Sequence, residues 1–277
     1  MSLDLSNVLI TGGEGMVARY ADFGTKLSHR ELDITNKEQV FSVITAYKPS
    51  AVIHLAALTN MRTCEESPAE AHRVNAEGTE NVAGACKEID AVMVYLSTNA
   101  VFDGKKDTAY NETDMPNPQN EYGKSKLVGE QAVICAKGPF LIVRSGWIFG
   151  GGVAHNKRFV GNIVKQLGEK EIKVVSDNQG TPTYAKDLMD SIKRLLVQGE
   201  REIVHIANSE SASRFEQATH IAKTLGYKGQ LIPLRVSELQ VVPAPLANEA
   251  LTSNKIHLRP WQEALSEYLA AEFHHAG

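Results

Sequence analysis

The chain has 277 residues, of which 43% are hydrophobic and 22% are charged. This balance is that of an ordinary globular protein and excludes a disordered, collagen-like or coiled-coil chain. Lys and Arg number 29 against 33 Asp and Glu, and the resulting net charge of −4 argues against sequence-independent nucleic-acid binding. The longest apolar runs are strand-sized and too short to cross a bilayer.

The first 150 residues alternate short apolar runs with longer amphipathic stretches. The apolar runs predict five strands: Val8–Thr11, Thr25–Arg30, Ala51–Ala56, Ala91–Ser97 and Phe140–Arg144. The stretches between them predict a short helix from Gly15 to about Ala21 and longer helices at Lys37–Tyr47, Pro68–Glu88 and Glu121–Ala136. Nearly continuous apolar strands separated by helices are typical of a parallel sheet covered on both faces. The sequence therefore predicts an α/β fold with a doubly wound, Rossmann-type parallel sheet.

The texture of the sequence changes after Gly150, where glycines and turn residues become frequent. Helices are predicted at 156–168, 185–197, 214–225 and 260–273, and strands at 172–175, 202–206 and 230–233. We expect residues 1–150 to form the dinucleotide-binding domain, with parts of 183–207 returning to it. Residues 151–277 should mainly form a smaller C-terminal lobe that binds the substrate.

The cysteines and the first residues of the chain bear on its compartment. Cys64, Cys86 and Cys135 are odd in number, lie far apart and lack a CxxC spacing. Reduced thiols are expected, and no signal-peptide pattern opens the chain, so we expect a cytoplasmic protein. No spacing typical of metal ligands is present, and no metal site is predicted.

A glycine-rich turn directly follows the first predicted strand. It can be read as Gly13-x-Gly15-x-x-Ala18 or as Gly12-x-x-Gly15-x-x-Ala18. Gly12 permits the tight turn, Gly15 lets backbone N–H groups approach a pyrophosphate, and Ala18 allows close packing on the strand. This position after Val8–Thr11 predicts a dinucleotide-binding turn.

The tip of the second strand should lie beside the adenosine ribose of that dinucleotide. Ser28 and Arg30 stand there, and no acidic residue precedes Glu31. Arg and Ser suit a 2′-phosphate, whereas Asp33, about twenty residues after the glycines, would suit a free 2′-hydroxyl. We therefore expect NADP(H) as the preferred cofactor, with NAD(H) as the alternative.

Tyr122 and Lys126 form a Tyr-x-x-x-Lys pair within a predicted helix, which places both side chains on one face. A neighbouring ammonium stabilises a phenolate and adapts the tyrosine for proton transfer. The same lysine is placed to hold the nicotinamide ribose. Ser97 or Thr98, at the end of the fourth strand, would supply a hydroxyl to a substrate carbonyl. Together these groups predict a carbonyl reductase.

With these residues in place, the chain resembles the extended short-chain dehydrogenase/reductases, and most closely the dTDP-4-dehydrorhamnose reductase family. The resemblance runs over nearly the whole chain. Its motifs are 11-TGGEG-15, 31-ELDIT-35, 54-HLAALT-59, 97-STNAVFDG-104, 122-YGKSKL-127 with Gly129-Glu130, 144-RSGW-147 and 177-DNQGTPT-183. The Val-Phe-Asp-Gly and Gly-x-Pro-Thr pieces are specific to this branch.

The resemblance implies a role for each matching position. Tyr122 would be the proton donor, Lys126 its partner, and Thr98 the hydroxyl that orients the carbonyl. Trp147 matches a tryptophan that contacts substrate in the family, although a packed core aromatic is an equal reading. Further contacts to the dinucleotide are implied for Met16, Val17, Asp33, Ile34, Ala56, Ala57 and Leu58.

Three departures from the family pattern concern the substrate. Asn99 stands where the family usually has Asp after the strand-end Thr, beside the substrate. Met61-Arg62 replaces a Val-Asp pair, and the C-terminal Arg-Pro element is not recognisable around Pro243–Leu251. The reaction type is therefore better defined than the sugar.

The leading hypothesis is an NAD(P)H-dependent reductase of a 4-keto-6-deoxy nucleotide sugar. One alternative is a nucleotide-sugar epimerase or dehydratase of the same superfamily, although Asn99-Ala100 lacks the acidic pair of dehydratases. Another is a non-catalytic, cofactor-binding regulatory subunit, because a relative of the family regulates methionine adenosyltransferase. A homodimer is one candidate assembly.

Overall fold

The computed structural model describes residues 3–152 and 158–273 of the chain. The described residues form twelve strands, numbered in chain order. They are β1 (Val8–Thr11), β2 (Thr25–Leu27), β3 (Ala51–His54), β4 (Val92–Thr98), β5 (Phe140–Ser145), β6 (Ile148–Phe149), β7 (Glu171–Val175), β8 (Gln179–Gly180), β9 (Thr183–Tyr184), β10 (Glu202–His205), β11 (Gln230–Leu234) and β12 (Asn248–Glu249).

Six of these strands form the central sheet, in the order β10-β5-β4-β3-β1-β2. Every neighbouring pair runs parallel. The winding reverses between β1 and β3, because β2 lies on one side of β1 and all later strands lie on the other. Such a switch point opens a crevice at the carboxyl ends of the strands, where ligands bind. The predicted doubly wound α/β fold is confirmed.

Helices cover both faces of the sheet and exclude water from its strands. One face packs on helices Lys37–Tyr47, Gly78–Glu88 and Glu121–Cys135, which contribute Val40, Ile44, Val82 and Val133 to the core. The other face packs on helix Ala185–Gln198 through Leu188, Ile192 and Leu196. Burial on both faces explains why these strands read as continuous apolar runs.

A second layer of structure lies beyond the sheet in the C-terminal part of the chain. Its core joins helices Phe159–Gln166, Arg214–Thr224 and Trp261–Phe273 to two two-stranded ladders, β7-β11 and β6-β9. A third ladder, β8-β12, is bridged to this core between Gly180 and Ala212. Strand β10 instead pairs with β5 in the central sheet, and the helix before it packs on that sheet. The helix predicted from Asn156 begins outside the described residues and is observed from Phe159.

Two predicted elements near the glycine turn differ from the structure. The helix after Gly15 is only a single 3-10 turn, Ala18–Tyr20, so no full helix dipole faces the expected pyrophosphate. The strand predicted over 25–30 ends at Leu27, because the Ser28 N–H donates to the Glu31 carboxylate at 2.8 Å and turns the chain.

The long helix predicted over 68–88 is interrupted by a π-helical turn. Its segments are Pro68–His72, the π turn Arg73–Glu77, and Gly78–Glu88. Such turns insert one residue and often lie at functional sites. A further short helix, Met61–Glu66, precedes them. Among the described helices, none has the length and apolar character that a membrane span requires.

Candidate active site

A cleft of about 440 Å³ opens at the carboxyl ends of the central strands. It extends from the glycine turn, past the end of β4, to the second layer. Many of the residues singled out from the sequence line it, including Gly12, Gly15, Met16, Val17, Ala18, Ala57, Met61, Ser97, Thr98, Asn99, Tyr122, Lys126 and Trp147. The topology thus collects motifs that are as much as 135 residues apart in the sequence, from Gly12 to Trp147.

The floor of the cleft at β1 and β3 requires glycine at position 12. Gly12 has φ +68°, and a Cβ there would lie 2.7 Å from the backbone N of Ala56. The Thr11 hydroxyl ties the two strand ends, since it bonds the ring of His54 at 2.7 Å and accepts from the Ala56 N–H at 3.3 Å. A side chain at Gly12 would therefore separate β1 from β3 and close the dinucleotide cradle.

Asn75, in the π turn, fixes the segment after β3. Its side-chain oxygen accepts from the Leu58 N–H at 2.8 Å, and its amide donates to the Leu58 carbonyl at 3.0 Å. The same amide donates to the Ser125 hydroxyl at 3.0 Å, which joins this segment to the helix of Tyr122. Asn75 is fully buried, and sequence reasoning missed it because no local motif marks a π turn.

The end of β4 presents two polar side chains to the cleft. The Thr98 hydroxyl accepts from the Ala100 N–H at 3.2 Å and donates to the Asn99 side-chain oxygen at 3.2 Å. The Asn99 amide in turn donates to the backbone carbonyl of Glu249 at 3.1 Å. An aspartate at position 99 has no proton to donate to that carbonyl, so the departure from the family pattern has a structural partner.

Tyr122 lies at the start of helix Glu121–Cys135, whose N-cap is Asn120. The Asn120 side chain accepts from the Gly123 N–H at 2.8 Å. Burial raises the pKa of Tyr122, while the positive charge of Arg158 and a hydrogen bond with Thr98 lower it. The phenol is therefore protonated at neutral pH and lies beside the hydroxyl that the sequence predicted as its neighbour.

Lys126 is buried one turn further along the same helix. Its ammonium lies 4.1 Å from the centre of the Tyr95 ring, a cation–π contact. Burial lowers the pKa of Lys126 to about 7, although the nearby Glu130 carboxylate opposes the shift. The lysine therefore changes charge near neutral pH, where a catalytic partner of a tyrosine is most useful.

A buried ion pair lies beneath Lys126. Arg144 on β5 donates to both oxygens of Glu130, at 2.9 and 2.7 Å, and both side chains are only 2–3% exposed. The Ser97 hydroxyl also donates to Glu130. His54, from β3, is fully buried as well, and burial lowers its pKa to about 3, so it stays neutral.

The residues predicted around the adenosine ribose do not line the cleft. The Ser28 hydroxyl donates to Glu31 at 2.7 Å, and Arg30 is exposed to solvent. Asp33 accepts from the Thr35 N–H and hydroxyl, and these bonds lower its pKa. Ile34, Ala56 and Leu58 also lie outside the cleft lining.

Three further charged residues line the cleft that sequence reasoning did not single out: Arg158, Arg214 and Glu249. The Trp147 indole N–H donates to the Glu249 carboxylate at 3.1 Å, and Arg214 stacks on the Trp147 ring. Within the described residues, no group of three or more His, Cys, Asp or Glu side chains is placed to hold a metal ion.

The lowered pKa of Lys126 predicts a pH dependence of stability. In the unfolded chain the pKa of this lysine is near 10.5, whereas in the folded protein it is near 7. The unfolded chain therefore binds this proton more tightly than the folded protein does. The free energy of unfolding should therefore increase with pH between these two pKa values. Lys126→Met lacks this pH-dependent contribution. The free energy of unfolding of the variant minus that of the wild type should therefore be larger at pH 7 than at about pH 9. Urea unfolding at both pH values checks this, and equal differences would contradict it. Exposed Lys165→Met is the control.

The comparisons with known proteins agree with this geometry. Residues 6–273 match the family model described as the RmlD substrate binding domain. A dTDP-4-dehydrorhamnose reductase of Mycolicibacterium smegmatis is 35% identical, over 95% of this chain and 85% of that protein. A dTDP-4-keto-6-deoxy-D-glucose reductase of Streptomyces niveus is 31% identical, over 79% of this chain and 78% of that protein.

Among solved structures, the dTDP-4-dehydrorhamnose reductase of Bacillus anthracis in complex with NADP superposes with a TM-score of 0.91. It is 31% identical, and the match covers 98% of this chain and 100% of that one. Fold, site and comparisons together define an NAD(P)-dependent oxidoreductase of the extended short-chain dehydrogenase/reductase class. Within that class, the chain belongs to the RmlD substrate binding domain family. The resemblance inferred from the sequence motifs is confirmed.

Proposed function

We propose that this protein reduces the keto group of a 4-keto-6-deoxy nucleotide sugar, of the dTDP-4-dehydrorhamnose type, with NADPH as the preferred cofactor. The observation that carries the proposal is the convergence of Thr98, Tyr122 and Lys126 in one cleft with the glycine turn. The substrate class is supported by the names of the relatives, which reduce dTDP-linked keto sugars.

The cleft fits a nicotinamide dinucleotide. Gly12 and Gly15 leave backbone exposed where a pyrophosphate would lie, and Ala57 and Val17 line the same wall. Lys126, at the far end, would hold the nicotinamide ribose. When bound, the cofactor supplies a hydride to the keto carbon.

The chain's own residues bind the keto oxygen and protonate it. When substrate binds, the Thr98 hydroxyl turns its proton from the Asn99 side chain to the keto oxygen and orients that oxygen toward Tyr122. Tyr122, protonated because burial raises its pKa, gives its phenolic proton to the developing alkoxide. A positive charge on Lys126 stabilises the phenolate that remains, and the buried position of the lysine strengthens that interaction.

The purified protein should oxidise NADPH only when a dTDP-4-keto-6-deoxy sugar is added, and should yield the 4-hydroxy sugar. This is measured by loss of NADPH absorbance together with chromatography of the sugar nucleotide. Cofactor that stays bound through purification, with turnover that needs no added reductant, would instead indicate the epimerase or dehydratase alternative. Cofactor binding without any turnover would indicate the regulatory subunit.

The preference for NADPH depends on Arg30, an exposed cation three residues after the end of β2. Arg30→Ala should lower kcat/KM for NADPH by about tenfold and leave kcat/KM for NADH nearly unchanged, since only NADPH carries the 2′-phosphate. Steady-state kinetics with both cofactors measures this. The Glu31 carboxylate is held by Ser28 and stays charged, because those bonds lower its pKa. A wild-type preference for NADH would contradict this role of Arg30. The homodimer and the cytoplasmic location remain predictions.

A further inference from the structure

Glu249 places a carboxylate in the lining of the catalytic cleft, at a position that no sequence motif marks. It is the last residue of β12, which pairs with β8 in the second layer. It also falls within Pro243–Leu251, the segment in which the family's Arg-Pro element is not recognisable. The chain therefore sets an acidic side chain of its own in a part of the cleft where the family pattern is lost.

The backbone of Glu249 is held close to the hydroxyl that orients the keto oxygen. The Asn99 side-chain amide donates to the Glu249 carbonyl at 3.1 Å, and the Thr98 hydroxyl donates to the oxygen of the same Asn99 side chain at 3.2 Å. Asn99 thus connects Glu249 to Thr98. Asn99 is also neutral, whereas an aspartate at this position would bring a second negative charge near Glu249 and disfavour its ionised form.

The carboxylate of Glu249 is held by Trp147. The indole N–H donates to Oε2 of Glu249 at 3.1 Å. The indole is itself closely packed, because the Arg214 guanidinium lies 3.5 Å from its centre and any side chain at Gly180 would collide with the ring. Among the described residues no donor bonds the other oxygen, Oε1, and the side chain is only half-buried. Glu249 therefore offers a fixed acceptor to a molecule in the cleft.

Desolvation makes this acceptor costly to leave unpaired once a ligand excludes water from the cleft. Burial raises the pKa of Glu249, while the bond from Trp147 and the positive charge of Arg214 lower it. A ligand hydroxyl that donates to Oε1 satisfies the acceptor, and a carboxylate accepts more strongly than a neutral group. A ligand without that hydroxyl leaves the acceptor unpaired, which is the physical basis of strong discrimination between similar substrates.

The chemistry of the substrate indicates which hydroxyl meets Glu249. In a 4-keto-6-deoxy sugar the keto carbon has two ring neighbours, carbon 3 and carbon 5. Carbon 5 carries the ring oxygen and the deoxy methyl group, neither of which can donate a hydrogen bond, whereas carbon 3 carries a hydroxyl. Because Asn99 joins Glu249 to Thr98, which binds the keto oxygen, the carbon 3 hydroxyl is the donor adjacent to that point.

We propose that Glu249 accepts a hydrogen bond from the hydroxyl on carbon 3 of the keto sugar and so selects sugars that carry a donor beside the keto group. This inference rests on the proposed function for the identity of the ligand. It makes Glu249 a specificity-determining residue. Asn99 positions its backbone, and Trp147 positions its carboxylate.

The test measures the binding of three ligands to protein saturated with NADP⁺, so that the dinucleotide site is occupied. The protein is titrated calorimetrically with dTDP-rhamnose, with its 3-deoxy analogue and with dTDP, which has no sugar. The wild type should bind dTDP-rhamnose about 10- to 100-fold more tightly than the 3-deoxy analogue, as expected for a hydrogen bond to a charged group. Glu249→Gln should bind dTDP-rhamnose about tenfold more weakly than the wild type does, and should bind the other two ligands equally well. A merely structural role of Glu249 would instead weaken the binding of all three.

The matched control is Glu263→Gln, which removes an exposed carboxylate from helix Trp261–Phe273 of the second layer. It should bind all three ligands as the wild type does, and both variants should keep the wild-type affinity for NADP⁺, which shows that they are folded. Equal wild-type affinities for dTDP-rhamnose and its 3-deoxy analogue would overturn the proposal. A loss in Glu249→Gln that is the same for all three ligands would overturn it as well.

Turnover measurements separate this inference from the proposed function. If dTDP-rhamnose binding depends on Glu249 in a protein that reduces no keto sugar, the proposed function is refuted and this inference stands. If the protein reduces 3-hydroxy and 3-deoxy keto sugars with the same kcat/KM, this inference is refuted and the proposed function stands.

Discussion

Tyr122→Phe should lower kcat by about 10²- to 10⁴-fold, the usual contribution of a general acid in proton transfer. The substitution removes only the phenolic oxygen, and the ring still fills its buried site. Without that oxygen, the side chain at position 122 has no proton to give to the keto oxygen. The affinity for NADPH should change little, since the glycine turn is untouched.

The loss is measured as steady-state NADPH oxidation with a saturating dTDP-keto sugar. Tyr47→Phe is the matched control, because Tyr47 is 40% exposed and its hydroxyl bonds the exposed Thr25 hydroxyl. It should retain the wild-type kcat. A near-normal kcat in Tyr122→Phe would remove the tyrosine from the mechanism.

Glu130→Gln should lower the free energy of unfolding by about 3–5 kcal/mol, because it leaves the Arg144 guanidinium buried without its counter-charge. The pair lies beneath Lys126, with both side chains only 2–3% exposed. Among the described residues, one nitrogen of Arg144, Nη1, already has no hydrogen-bond partner, so the site has little capacity to compensate.

Urea denaturation of both proteins measures that difference. Glu70→Gln is the control, because it breaks an ion pair with Arg73 in which both side chains are more than 40% exposed. Such exposed pairs contribute about 0–1 kcal/mol. Equal losses of unfolding free energy in the two variants would show that the buried Glu130 pair stabilises the fold no more than an exposed pair does.

Periodicity and turn chemistry were sufficient to predict the central sheet. Buried parallel strands such as Ala51–His54 are apolar up to their last residue, and helix Glu121–Cys135 begins at an asparagine cap and differs from its prediction by one residue. The π turn Arg73–Glu77 was not predicted, because its cause is tertiary: Asn75 bonds Leu58 and Ser125, which are distant in sequence. The end of β2 was placed too late because the Ser28–Glu31 contact is a side-chain bond that strand propensity does not report.

The residues of the candidate site also differ in whether the sequence could predict them. Gly12, Tyr122 and Lys126 belong to compact motifs whose spacing carries chemistry, and the structure brings them together in one cleft. Arg214 and Glu249 come from separate elements of the second layer, and both contact Trp147. No spacing links them, so their role depends on the folded chain.

The most direct test of the account uses NADPH deuterated at the transferred position of the nicotinamide, with a dTDP-4-keto-6-deoxy sugar as substrate. The account predicts one deuterium per product molecule, bound to sugar carbon 4, and an equal amount of NADP⁺ formed. Mass spectrometry and proton NMR of the sugar nucleotide read this out. A product without deuterium at that carbon, or turnover without net NADPH oxidation, would contradict the assignment as a reductase.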